Sequence, residues 1–211
     1  MLSSIPFGAA LMALVVPVLA GPLASDKRGL CFTPNITTPE DNSIWAQKPT
    51  DLTWYYNYGE FPSDAFDGVS QSDFEFVPML WGAPSDVSNT TFLKSIKSLI
   101  NDKGINITHV LSFNEPDGPA AWGGSDIKPE VAAQVWVNNM IPLQKMGIKV
   151  GLPATMSTPD GLQWLKDFLV ECSGIISEGG NKKNCTYDFV PIHWYGDFGG
   201  LASHMGTYSA T

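Results

Sequence analysis

The sequence has 211 residues, 44% of them hydrophobic, 11% aromatic and 16% charged, the composition of a packed globular chain and not of a disordered one. Its formal net charge is −9, from 21 acidic and 12 basic residues. No basic cluster interleaves with aromatics, which excludes a nucleic-acid surface, because phosphate recognition needs Lys and Arg.

In chain order the first element is a targeting segment. Residues 5–20, IPFGAALMALVVPVLA, are apolar and end in small residues. A run of 16 residues holding Pro17 is short for a membrane span, so 1–20 is expected to be a secretory signal peptide. The mature chain then begins near Gly21 or Ser25. Lys27–Arg28 is either a processing site or a charged lead into the first strand. Short apolar runs follow at 29–33, 52–56, 75–80, 108–113, 148–152 and 187–194. They are continuous rather than alternating, as in strands buried on both faces of a parallel sheet.

Helical patterns lie between the later runs. Residues 90–104 put Phe92, Leu93, Ile96, Leu99 and Ile100 on one face, with Gly104 as a stop. Residues 129–140 open on Pro129, and Pro142 is expected to bend or end that helix. Residues 161–172 place Leu162, Leu165, Phe168 and Leu169 on one face. Residues 34–51 are more weakly helical and 57–74 read as loop.

Strands alternating with helices fit an open doubly wound sheet or a (β/α)8 barrel. The sheet usually brings a Gly-rich phosphate loop after its first strand, and GLCFTPN is not one. The barrel builds its site from residues at the C-terminal strand ends. Polar and aromatic residues recur there: Trp54, Tyr56 and Asn57, then Trp81, then Asn114 and Glu115, then His193, Trp194 and Tyr195.

Within LSFNEPDGP, Pro116 biases Glu115 toward extended backbone, and Asp117–Gly118 forms a turn. Glu115 is thereby held at the sheet mouth beside Asn114, as a proton donor would be. The plain alternative is a solvated Glu beside a strand cap. Trp and Tyr faces at strand ends suit sugar rings, while Trp136 and Trp164, inside helical patterns, suit the core. The three His residues, 109, 193 and 204, show no metal spacing, and no G-x-S-x-G elbow is present.

Secretion bears on the remaining signals. Cys172 and Cys185 flank a Gly/Asn/Lys loop and would pair in an oxidising compartment, a closure worth about 3 kcal/mol in the chain-entropy model. Cys31 is left as a buried free thiol. Asn35, Asn89, Asn106 and Asn184 head Asn-x-Thr sequons and read as glycosylated surface positions.

KRGLCF, WYYNYG, FVPMLWG, LSFNEPD, VGLPA and FVPIHWYG occur in that order. Together they resemble family 128 of the glycoside hydrolases, the group of the fungal alkali-sensitive-linkage proteins, from about residue 28 to about residue 200. The resemblance implies a secreted, retaining endo-β-1,3-glucanase with no cofactor, acting as a monomer on fungal cell-wall glucan and touching no membrane after signal removal. Glu115 would be the acid/base, and Asn114 would bond the sugar hydroxyl at carbon 2. Trp54, Asn57, Trp81, His193, Trp194 and Tyr195 would line the substrate site. Tyr58 stands where the family often has Trp.

The family's nucleophile is a Glu ending the seventh strand, and nothing up to Thr211 matches that stretch. Asp197 and Glu178 are poor substitutes. The expectation is therefore that residues 21–211 form an incomplete (β/α)8 catalytic domain, ending after about six strands. A non-catalytic β-glucan-binding wall protein is the competing reading.

Overall fold

The computed structural model describes residues 27–177 and 181–209. The apolar segment 5–20 and Glu178 lie outside the described residues. The fold is α/β, with strands β1 (Gly29–Cys31), β2 (Trp54–Tyr56), β3 (Glu75–Phe76), β4 (His109–Val110) and β5 (Lys149–Val150). Its helices are α1 (Thr91–Asn101), α2 (Pro129–Lys145), α3 (Pro159–Ile176) and α4 (Phe198–Ser209). Short 3₁₀ helices at Pro39–Ala46 and Asp64–Phe66 occupy the two segments that read as weakly helical and as loop.

All strand pairs are parallel and follow sequence order. β1 pairs with β2, β2 with β3, and β4 with β5. A Met79–Leu111 bridge joins the two groups, with Leu111 N donating to Pro78 O at 2.8 Å. The expected sixth strand is reduced to a bridge between Gly151 and Phe189. Around that bridge Asp188 N donates to Val150 O at 2.9 Å. The described residues form no closed barrel.

Burial bears out strands covered on both faces only in part: residues 76–79 and 150–152 are buried without a break, whereas the strand starts alternate. In β2 to β5, Tyr55, Phe76, Val110 and Val150 are buried, while their neighbours Trp54, Tyr56, Glu75 and His109 are half-buried and Lys149 is exposed. Successive strand side chains point to opposite faces. One face therefore packs on the helices, and the other carries the polar and aromatic residues.

The helices cover the buried face. α1 buries Phe92, Leu93, Ile96 and Leu99, four of the five residues expected on its inner face. α2 runs on through Pro142 to Lys145, so this Pro neither ends it nor sets its limit. Losing one backbone bond at Pro142 is offset by burying Met140 and Leu143, both 0% exposed. Trp136 and Trp164 are buried, with ring centroids 5.4 and 5.7 Å from Phe168. Thr158 caps α3 through its hydroxyl, which accepts from Gly161 N at 3.3 Å. Cys172 and Cys185 are disulfide-bonded.

Candidate active site

The end of β4 is fixed from both sides. Asn114 N donates to Trp81 O at 2.9 Å, and Glu115 N donates to Ala154 O at 2.7 Å. Glu115 is not extended, contrary to the bias from Pro116: its φ is 41°. The turn begins at Glu115 itself, whose carbonyl accepts from Gly118 N at 2.9 Å and Ser125 N at 3.2 Å. These bonds outweigh the steric preference before proline. A left-handed conformation at a non-glycine residue costs about 1–3 kcal/mol and persists only where its surroundings over-determine it.

The side chain is held as firmly. Glu115 Oε1 and His193 Nδ1 lie 2.8 Å apart, and the two side chains are only 15% and 18% exposed. Asn114 Nδ2 donates to Gly123 O at 3.1 Å. Asn114 Oδ1 is buried with no partner among the described residues. A buried acceptor left open is unusual and calls for a donor from elsewhere. The loop that covers Asn114 needs a glycine at 124, where a Cβ would sit 2.2 Å from Gly118 O.

Tyr58, Trp81, Trp122 and Tyr195 surround this centre in a cleft of about 430 Å³. Tyr58 has φ 60°, and burial pushes its hydroxyl pKa up to about 12. Cys31 Sγ donates to Tyr58 Oη at 3.1 Å. Cys31 is exposed, not buried as expected, because it lies on the open face of β1. Asp117 turns away from the cleft. Its Oδ1 accepts from Met156 N at 2.9 Å, and burial raises its pKa against the lowering effect of that bond. Among the described residues, Glu115 is the one carboxylate lining the cleft, and no three His, Cys, Asp or Glu side chains gather as a metal site requires.

Asn114, Glu115, Trp81, His193 and Tyr195 thus come together as the strand-end argument expects. Trp54, Asn57 and Trp194 do not. Trp54 begins β2 instead of ending it, and its ring lies over Gly29, where a Cβ would come within 2.1 Å. Asn57 spends its amide on its own loop, donating to Phe61 O at 2.9 Å and accepting from Gly59 N at 3.2 Å. Trp194 donates to Asp197 O at 2.9 Å and packs against His204 of α4 with its ring tilted by 31°. Asp197 in turn accepts from Gly200 N at 2.7 Å, at the start of α4. Sequence reading missed Trp122 as a cleft residue; its signal was an aromatic seven positions after Glu115 in a Gly/Ala/Pro-rich loop. The four sequon asparagines are exposed.

A family model described as glycosyl hydrolase catalytic core matches residues 29–211. The chain is 32% identical over 187 residues to alkali-sensitive linkage protein 1 of Schizosaccharomyces pombe, spanning 87% of this chain and 29% of that protein's length. An endo-β-1,3-glucanase of family 128, subgroup II, from Pseudomonas viridiflava superposes with a TM-score of 0.65 at 26% identity, covering 89% of this chain and 68% of its own. A curdlan-specific exo-β-1,3-glucanase of subgroup III from Blastomyces gilchristii, solved with glucose, gives 0.60 at 28% identity, covering 87% and 67%. The chain therefore belongs to the glycosyl hydrolase catalytic core family, within the family 128 group that its six ordered motifs resemble.

Proposed function

We propose that the cleft at Glu115 holds β-1,3-glucan and that Glu115 is the acid/base of its hydrolysis. The observation that carries this reading is a strained, covered Glu bonded to His193 at 2.8 Å and ringed by aromatic side chains. His193 fixes Oε1, which leaves Oε2 to give its proton to the glycosidic oxygen and later to take one from water. Tyr58, Trp81, Trp122 and Tyr195 offer ring faces to the sugar. A sugar hydroxyl donated to Asn114 Oδ1 would satisfy that buried acceptor. Both glucanases named above support a β-1,3-glucan; being one endo and one exo enzyme, they leave the mode of attack open.

Retention needs a second carboxyl about 5–5.5 Å from the first. We propose that it lies on a seventh strand, outside this sequence, in a (β/α)8 barrel to which these residues contribute β1 to β5 and, at the Gly151–Phe189 bridge, the place of a sixth strand. The parallel strands in sequence order support that architecture. We further propose secretion, supported by the Cys172–Cys185 disulfide and by the exposed sequons.

A second reading, glucan binding without cleavage, is favoured by Glu115 being the one carboxylate at the cleft among the described residues. The test uses the longer protein that carries the seventh-strand carboxyl: reducing-sugar release from laminarin by it and by its Glu115→Gln variant, with laminarihexaose binding followed in parallel. We expect release to fall by about 10²–10⁴-fold, the usual worth of a general acid, with binding kept within a few-fold. An unchanged rate overturns the assignment of Glu115. Binding without release by that unsubstituted longer protein selects the second reading.

A further inference from the structure

Trp81 lines two cavities. One is the cleft of Glu115. The other, of about 380 Å³, lies beyond it, between the loop after β3 and the start of α1. Its floor is set by Phe92 and by Asn139, whose amide is fully committed: Nδ2 donates to Asn89 O at 3.0 Å and Val135 O at 3.1 Å, and Oδ1 accepts from Leu93 N at 3.3 Å. The rim keeps polar groups for a ligand, namely the Glu60 carboxylate and the Thr91 hydroxyl. An indole wall, a polar rim and a volume within the usual range of small-ligand sites suit a sugar ring.

Asn89 also heads the sequon Asn89-Thr90-Thr91. It is exposed, and its Oδ1 accepts from Thr91 N at 2.7 Å, capping α1. A glycan attaches to Nδ2 and leaves that cap intact, so the position tolerates modification while the glycan stands at the pocket's edge.

We propose that the pocket beyond Trp81 binds further glucosyl units of the chain held at Glu115, and that an N-glycan on Asn89 closes it. This rests on the glucan reading of the Glu115 cleft. The experiment titrates laminaribiose and laminarihexaose calorimetrically into three folded forms: secreted protein carrying the Asn89 glycan, Asn89→Gln, and Asn89→Gln with Ala83→Phe filling the pocket. Laminarihexaose is expected to bind Asn89→Gln about 10-fold more tightly than laminaribiose, the worth of one or two added hydrogen bonds plus ring contact. That advantage should shrink to about twofold in the other two forms, with laminaribiose affinity equal in all three. Glu60→Gln, which adds no bulk, should cost laminarihexaose about threefold in the Asn89→Gln background. A hexaose advantage that survives the filled pocket overturns the pocket. One that survives the glycan, or an unmodified Asn89 in mass spectra of secreted protein, overturns the gate. If neither sugar binds any form while circular dichroism shows them folded, the glucan reading falls and the pocket with it.

Discussion

Two Glu–His pairs occupy opposite ends of the parallel strands, and they differ in every physical respect except composition. Glu115 and His193, at the C-terminal ends, touch directly at 2.8 Å and are 15% and 18% exposed. Glu75 and His109, near the strand starts, are 3.7 Å apart and 30% and 39% exposed. There the Thr108 hydroxyl bonds to both side chains. The first pair sits on strained backbone in an aromatic cleft; the second shares a cavity of about 230 Å³ with Trp54, Val77, Leu111 and Phe189. Residue type does not make a site. Direct contact, cover and a backbone that over-determines the side chain do, and the sheet supplies them where parallel strands end.

The largest effect should come from the carboxyls. In the longer protein that carries the second carboxyl, Glu115→Gln is expected to lower glucan cleavage by about 10²–10⁴-fold, and Glu75→Gln by no more than about twofold, because a solvated pair contributes little. Next are the imidazoles. His193→Ala should cost about 10- to 100-fold in kcat through misplacement of Glu115, with His109→Ala near unity. Equal losses from both would erase the distinction between the two ends.

The smallest effect concerns stability. Burial raises the Asp117 pKa above its ordinary 3.8, so folding favours the protonated form. Its contribution is present below the unfolded pKa and is lost as pH rises through the folded one. Asp117→Asn keeps an acceptor for Met156 N without the charge. The Tm of the variant relative to the parent should therefore rise from pH 3 to pH 7. A parallel pair of Tm curves would show that burial at Asp117 carries no such weight.

Much of the site was legible because strand ends announce themselves through motif and turn residues: Asn114, Glu115, Trp81, His193 and Tyr195 meet in one cleft. Trp54 was not legible. Only the register that pairs it with Gly29 and Glu75 shows that LTWYY begins, and does not end, its strand at this residue. Tyr58 lies on a loop and Trp122 ends a single-turn 3₁₀ helix, Ala120–Trp122, elements too short for any period to mark which way a side chain faces. α4 escaped notice because Gly199, Gly200 and Gly206 give its 12 residues poor helix propensity. The continuation of α2 through Pro142 follows from packing of its inner face, which local rules do not see.

The most direct test of the central claim, that glucan is held at the C-terminal edge, is calorimetric titration of laminarihexaose into the parent protein, Trp122→Ala and Trp54→Ala, each shown to be folded by circular dichroism. Loss of one stacking wall should weaken binding about 5- to 10-fold in Trp122→Ala and leave Trp54→Ala within about twofold of the parent. Weakening confined to Trp54→Ala would place the sugar at the other end of the strands and contradict the account.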